Sequence, residues 1–182
     1  MWKQITLSLI MALGLILQTN VAPAQAAGLQ AYVDTGDSYK FLYPNGWVPV
    51  KTTKGADIIF HDLIESSENV SVVISQVDKA KKLSDLGTAT DVGDKLGQNA
   101  IAPAGSGREA SLMSAESREI RGKTYYILEY DVKFPNDSHR HNVASVVVSR
   151  GKLFTFNAST TEKRWTKMKQ VFNEVVSSFS VA

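Results

Sequence analysis

The sequence predicts an α+β domain: a single antiparallel sheet of about six strands flanked by helices. Three observations predict it. Four β-rich runs follow one another from Ala110 to Ser159, joined by short turns. An apolar stripe at helical spacing closes the chain from Trp165 to Phe179. A capping signature at Thr88 and Asp91 opens a separate helical segment between the early strands and the late ones. Strands grouped together, with helices segregated between and after them, exclude a regular βαβ alternation.

The first 26 residues are expected to lie outside this domain. Lys3 is their one charge, and Ile5 to Leu17 is an apolar run diluted by Thr6, Ser8 and Gly14. That run is short for a bilayer span, which takes about 20 residues. Ala24-Gln25-Ala26 fits the small-x-small cleavage rule. Residues 1–26 therefore read as a cleaved export signal, and residues 27–182 as one domain. Ala27 to Ser38 is a short lead-in.

Tyr39 to Tyr43 alternates as a strand, sending Tyr39, Phe41 and Tyr43 to one face. Pro44-Asn45-Gly46 is turn chemistry, and Trp47 to Val50 resumes in extended form. Asp57 to His61 and Glu68 to Val77 are further β-rich runs. A helix after Thr88 would align Val92, Leu96, Ala100 and Ile101, although Gly93 and Gly97 weaken it. In the late meander both tight turns read Arg-Gly-Lys, at Arg121 and at Arg150. Tyr126, Leu128, Tyr130 and Val132 form an apolar face, while Ile127, Glu129 and Asp131 put acids on the other. Ser159 and Glu162 read as a second capping box. The closing helix then carries Trp165, Met168, Phe172, Val175, Val176 and Phe179 as one stripe. Lys163, Arg164, Lys167 and Lys169 fall on its other sides.

Composition narrows the function. The chain of 182 residues has 20 basic and 18 acidic side chains, and loss of Lys3 with the signal leaves 19 against 18. So balanced a charge gives no dense basic face for nucleic acid. With no cysteine, thiolate catalysis, thiolate zinc sites and an N-terminal lipid anchor are excluded. No Gly-x-Ser-x-Gly elbow or His-Glu-x-x-His motif occurs, and Gly105-Ser106-Gly107 lacks the strand and Lys-Ser/Thr of a phosphate cradle. The chain is not read as an enzyme. Metal chemistry is confined to His61, His139 and His141. His139 and His141, two apart on an extended segment, face the same way and could chelate with Asp137. His61 and Asp62, with Glu65 nearby, form a second candidate.

Several stretches, in order, resemble the PsbP family of extrinsic photosystem II proteins, nearest its cyanobacterial branch. They are GLQAYVDT, YKFLYPNGW, DIIFHDLIESSENVSVVIS, KTYYILEYDV, RHNVASVVVSRGKLFTFNAS, EKRW and VVSSFSVA. The resemblance spans the whole domain after residue 26. It implies a sheet sandwiched by helices, as also in Ran-binding Mog1 proteins, whose nuclear-transport role the export signal speaks against.

The resemblance implies a non-catalytic protein of the thylakoid lumen, peripheral to the membrane. Its partner would be the lumenal face of the photosystem II reaction-centre core, with a role in assembly or stabilisation and a monomeric state when free. The alternatives are a metal-binding module for zinc or manganese, and an extrinsic subunit supporting calcium and chloride retention. The docking residues carried over by position are Arg140, His141, Glu162, Lys163 and Arg164, with His141 expected close to Glu162. No cofactor is required; zinc, manganese or calcium would fall to His139, His141, His61 and Asp62. Two departures limit the comparison. No cysteine is available for a lipid anchor, and the stretch before Tyr39 is too short for the ion-retaining arm of plant members.

Overall fold

The computed structural model describes residues 28–182 apart from residues 51, 53 and 54. The expected export signal, residues 1–26, lies outside the described residues. Among the described residues ten strands make two antiparallel sheets. The strands are β1 (Leu29–Asp34), β2 (Tyr39–Pro44), β3 (Trp47–Val50), β4 (Ile58–Asp62), β5 (Asn69–Gln76), β6 (Glu109–Ile120), β7 (Lys123–Lys133), β8 (His139–Ser149), β9 (Lys152–Thr161) and β10 (Ser180–Val181). The large sheet runs β3-β4-β5-β9-β8-β7-β6, and the small one β1-β2-β10. The α+β class holds, with more strands than the sequence suggests. Half of the expected lead-in before Tyr39 is β1, paired with β2 from Leu29↔Pro44 to Asp34↔Tyr39.

The helices are α1 (Ala89–Leu96) and α2 (Glu162–Ser178). They cover opposite faces of the large sheet, as the alternation along β7 shows. Tyr125 belongs to the core under α2, with Phe154, Phe156, Phe172 and Val176. Tyr126, Leu128, Tyr130 and Val132 belong to the core under α1, with Val92, Ala144 and Val146. The apolar face of β7 is therefore the α1 face. Its acid face is not a solvent face, because α2 lies over that side of the sheet.

Thr88 and Asp91 form the expected capping box: the Asp91 amide donates to Thr88 Oγ1 at 3.2 Å and the Thr88 amide to Asp91 Oδ2 at 2.9 Å. Gly93, which weakens this helix in isolation, lets it sit close to the sheet. A Cβ on Gly93 would lie 2.8 Å from Leu112 Cδ2, and Tyr130 Oη donates to the Gly93 carbonyl at 2.8 Å. Beyond Leu96 the chain widens into a π turn, Gly97–Ile101. The wider turn breaks the 3.6-residue period, so Ala100, expected on the buried face, is exposed.

Both Arg-Gly-Lys turns are two-residue hairpins with positive φ at each central residue: 52° and 77° at Arg121 and Gly122, 54° and 73° at Arg150 and Gly151. These are the mirror-image turns that match strand twist. The second capping box does not form. Strand β9 continues to Thr161, which precedes α2 and makes no side-chain cap. Ser159 points to the face away from α2, because residues alternate along a strand and Ala158 and Thr160 take the α2 side. There its hydroxyl donates to Asn142 Oδ1 at 2.7 Å.

Helix α2 buries Trp165, Met168, Phe172, Val175 and Val176, and Phe179 follows just past its end. Strand β2 packs beside it. Tyr39 and Phe41 are buried and Tyr43 half-buried, with ring centroids 4.5 Å apart for Phe41 and Phe156 and 4.2 Å for Tyr43 and Phe60. The early aromatic string is thus a core element, each ring worth a few kcal/mol of burial.

Candidate functional site: the polar end of the sandwich

The residues singled out for docking gather where α2 begins. Strand β8 enters the sheet at His139, β9 leaves it at Thr161, and α2 starts at Glu162. Register places Arg140 opposite Thr161 and His141 opposite Thr160. The ring of His141 lies flat on Trp165, centroids 3.7 Å apart and planes 10° from parallel.

His141 is only 6% exposed. Its Nδ1 lies 3.0 Å from Glu162 Oε2, so these two residues, 21 apart in sequence, do meet. The other nitrogen, Nε2, lies 2.6 Å from Glu129 Oε1. Carboxylates only accept, so both contacts are hydrogen bonds when both ring nitrogens carry protons. Glu129 was not among the expected site residues. It reaches His141 along a diagonal, since the direct neighbour of His141 on β7 is Asp131.

Glu68 and Arg164 form a second pair. Glu68 is 2% exposed, and its Oε1 accepts from Arg164 Nε and from Thr160 Oγ1, the latter at 3.0 Å. Arg164 is thereby tied to the turn before β5 rather than free on the helix. Arg140 is tied as well. Its Nε donates to Ser159 Oγ at 3.0 Å and its Nη2 to the Ser67 carbonyl. Burial of its guanidinium lowers its pKa from the usual arginine range. Glu68 and Thr160 were not among the expected site residues, and Ser159 was expected only as a helix cap.

Over this lattice opens a groove of about 680 Å³. Its walls include His139, Arg140, Glu162 and Lys163, with Phe134 half-buried among them. The opposite wall is a tight turn, with the Phe134 amide donating to the Ser138 carbonyl at 2.9 Å. Lys163 and Glu162 are exposed at the rim.

The metal candidates are arranged differently from the expectation. His139 and His141 share a face, but each is turned to a carboxylate of its own. His139 Nδ1 lies 2.9 Å from Asp131, and Asp137 pairs with Lys133 Nζ at 3.0 Å instead of joining the histidines. The His61 ring contacts the neighbouring Asp62 carbonyl at 2.8 Å. The Asp62 carboxylate accepts from the amides of Ile64 and Glu65 at 2.8 and 2.6 Å. These amide bonds, Glu65 first, hold its carboxyl below the usual range. Among the described residues, no three His, Cys, Asp or Glu side chains gather to hold a metal ion.

Fold and site together define a class: an α/β/α sandwich with an ion-paired end bearing an open groove. The chain belongs to the PsbP family, whose model matches residues 27–181. It is 50% identical over 159 residues to CyanoP of Thermosynechococcus vestitus, spanning 85% of this chain and 87% of that one. It is 33% identical over 154 residues to PsbP-like protein 1, chloroplastic, of Arabidopsis thaliana, spanning 85% of this chain and 65% of that one. The solution structure of cyanobacterial PsbP (CyanoP) from Synechocystis sp. PCC 6803 superposes with a TM-score of 0.75. It is 47% identical and covers 88% of this chain and 96% of that one.

Proposed function

We propose that this protein is a non-catalytic accessory protein of photosystem II, acting in the thylakoid lumen after export. It docks on the lumenal face of the reaction-centre core and assists assembly or stabilisation. Family membership supports the complex it serves, and one observation carries the docking face. Arg140, Glu162 and Lys163, singled out by position, line one groove with His139. Beneath it, His141 is fixed by two carboxylates and a stacked indole. Such a surface arrives ordered, so little side-chain entropy is lost when a partner binds. Mixed charge at the rim favours specificity and encounter rate over raw affinity.

The test is affinity capture from thylakoids with a tagged chain. The expected result is recovery of early reaction-centre intermediates, reduced severalfold by Lys163→Glu. Recovery of mature complexes alone points to the extrinsic-subunit alternative, and recovery of neither overturns the proposal.

A further inference from the structure

The turn joining β4 to β5 carries Leu63 and Ile64 on its outside, 70% and 96% exposed. A solitary exposed aliphatic residue is ordinary, but here two neighbours stand together on a turn that is held still. The Asp62 amide donates to the Glu68 carbonyl at 3.0 Å and the Glu68 amide to the Glu65 carbonyl at 2.8 Å. Asp62 Oδ1 gathers the amides of Ile64 and Glu65. Ser67 Oγ donates to Glu65 Oε1 at 2.5 Å, and Arg140 binds the Ser67 carbonyl. Arg164 fixes Glu68 from α2. Arg140 also lines the groove, so prong and groove share one structural support.

We infer that Leu63 and Ile64 are a preformed aliphatic prong that enters an apolar socket on a protein partner, beside the groove. The inference rests on the docking reading above and names a second anchor for it. Charge selects the occupant. The prong is flanked by Asp62 and Glu65, while Arg140 and Arg164 are held beneath the turn by the Ser67 carbonyl and by Glu68. An anionic lipid surface repels such a rim, and stable membrane attachment takes a basic amphipathic face rather than two side chains. A protein socket rimmed by basic or amide N–H groups is complementary to it. Anchors of this kind, surrounded by groups that exclude water, carry most of an interface's affinity.

The test measures binding of the full mature chain to detergent-solubilised photosystem II reaction-centre cores. Protein-free vesicles containing phosphatidylglycerol run in parallel. Leu63→Ser with Ile64→Ser is expected to weaken binding to cores on the order of tenfold. The unfolding midpoint should not change, because the side chains are already in water. Ile64→Val should retain binding and Ile64→Asp lose it. If wild type binds cores and the double serine variant binds equally well, the prong is refuted while the docking proposal stands. If wild type binds neither target, both are refuted. Vesicle binding that the serine pair abolishes refutes the protein socket.

Discussion

Helix α2 is docked at its two ends by different chemistries. Toward its C-terminal end, Phe172, Val176 and Phe179 meet Phe154, Phe156 and the aromatics of β2, with Phe156 and Phe179 stacked at 5.0 Å. At its N-terminal end Glu162 and Arg164 reach across to His141 and Glu68. The aromatic end rests on non-directional burial. The polar end depends on partner geometry, and several of its groups remain at the rim where a partner can reach them. The difference separates stability from recognition along one helix. Burial holds the helix down, and the ion pairs set the shape of the surface it presents.

The comparison is broken most severely at the aromatic end. Phe156→Ala should cost about 3–5 kcal/mol, the range for deleting a fully buried ring, read from chemical-denaturation midpoints. Glu68→Ala should cost less, about 2–3 kcal/mol. It strands Thr160 inside but leaves Arg164 partly able to reach water. A loss from Glu68→Ala as large as that from Phe156→Ala would erase the distinction.

Acid sharpens the same contrast. The carboxyl of Asp62 has a folded-state pKa below its unfolded value. Its contribution to stability is therefore complete above about pH 4 and is lost as pH falls through the lower, folded value. The unfolding midpoint should decline across that window in wild type and in Phe156→Ala alike. It should decline less in Asp62→Ala, as followed by circular dichroism. Equal slopes in all three would remove Asp62 from the acid response.

The smallest effect is expected from metal ions. Titration with zinc, manganese or calcium should give no tight site that the His139→Ala, His141→Ala pair abolishes. In the folded chain each of these rings already faces a carboxylate. A saturable zinc site lost in that pair would overturn this expectation.

Much of the fold is legible in short stretches. Thr88 and Asp91 announce α1, the stripe from Trp165 announces α2, and the Arg-Gly turns announce the hairpins of the late meander. The β1 strand is not legible, because Leu29 to Asp34 lacks a clean apolar alternation and owes its form to pairing with β2. Ser159 and Glu162 fit a capping spacing and yet lie on a strand end and a helix start. There, ladder bonds to β8 outcompete an early helical turn. At the site, the closeness of His141 and Glu162 followed from family resemblance, not from spacing. Glu129 and Glu68 stayed hidden because finding them requires the register of β7 on β8 and of β5 on β9.

The sequence by itself determined the class, the two helices and the late hairpins. Each follows from contacts among residues a few positions apart, where periodicity, caps and turn residues act directly. Only the tertiary structure decided that β1, β2 and β10 form a separate sheet, with Val181 opposite Tyr39. It also decided that the acid face of β7 lies under α2, and that Arg140 and Arg164 are spent holding the β4–β5 turn. Those outcomes depend on strand register between distant segments. A shift of one residue would turn every such side chain to the other face.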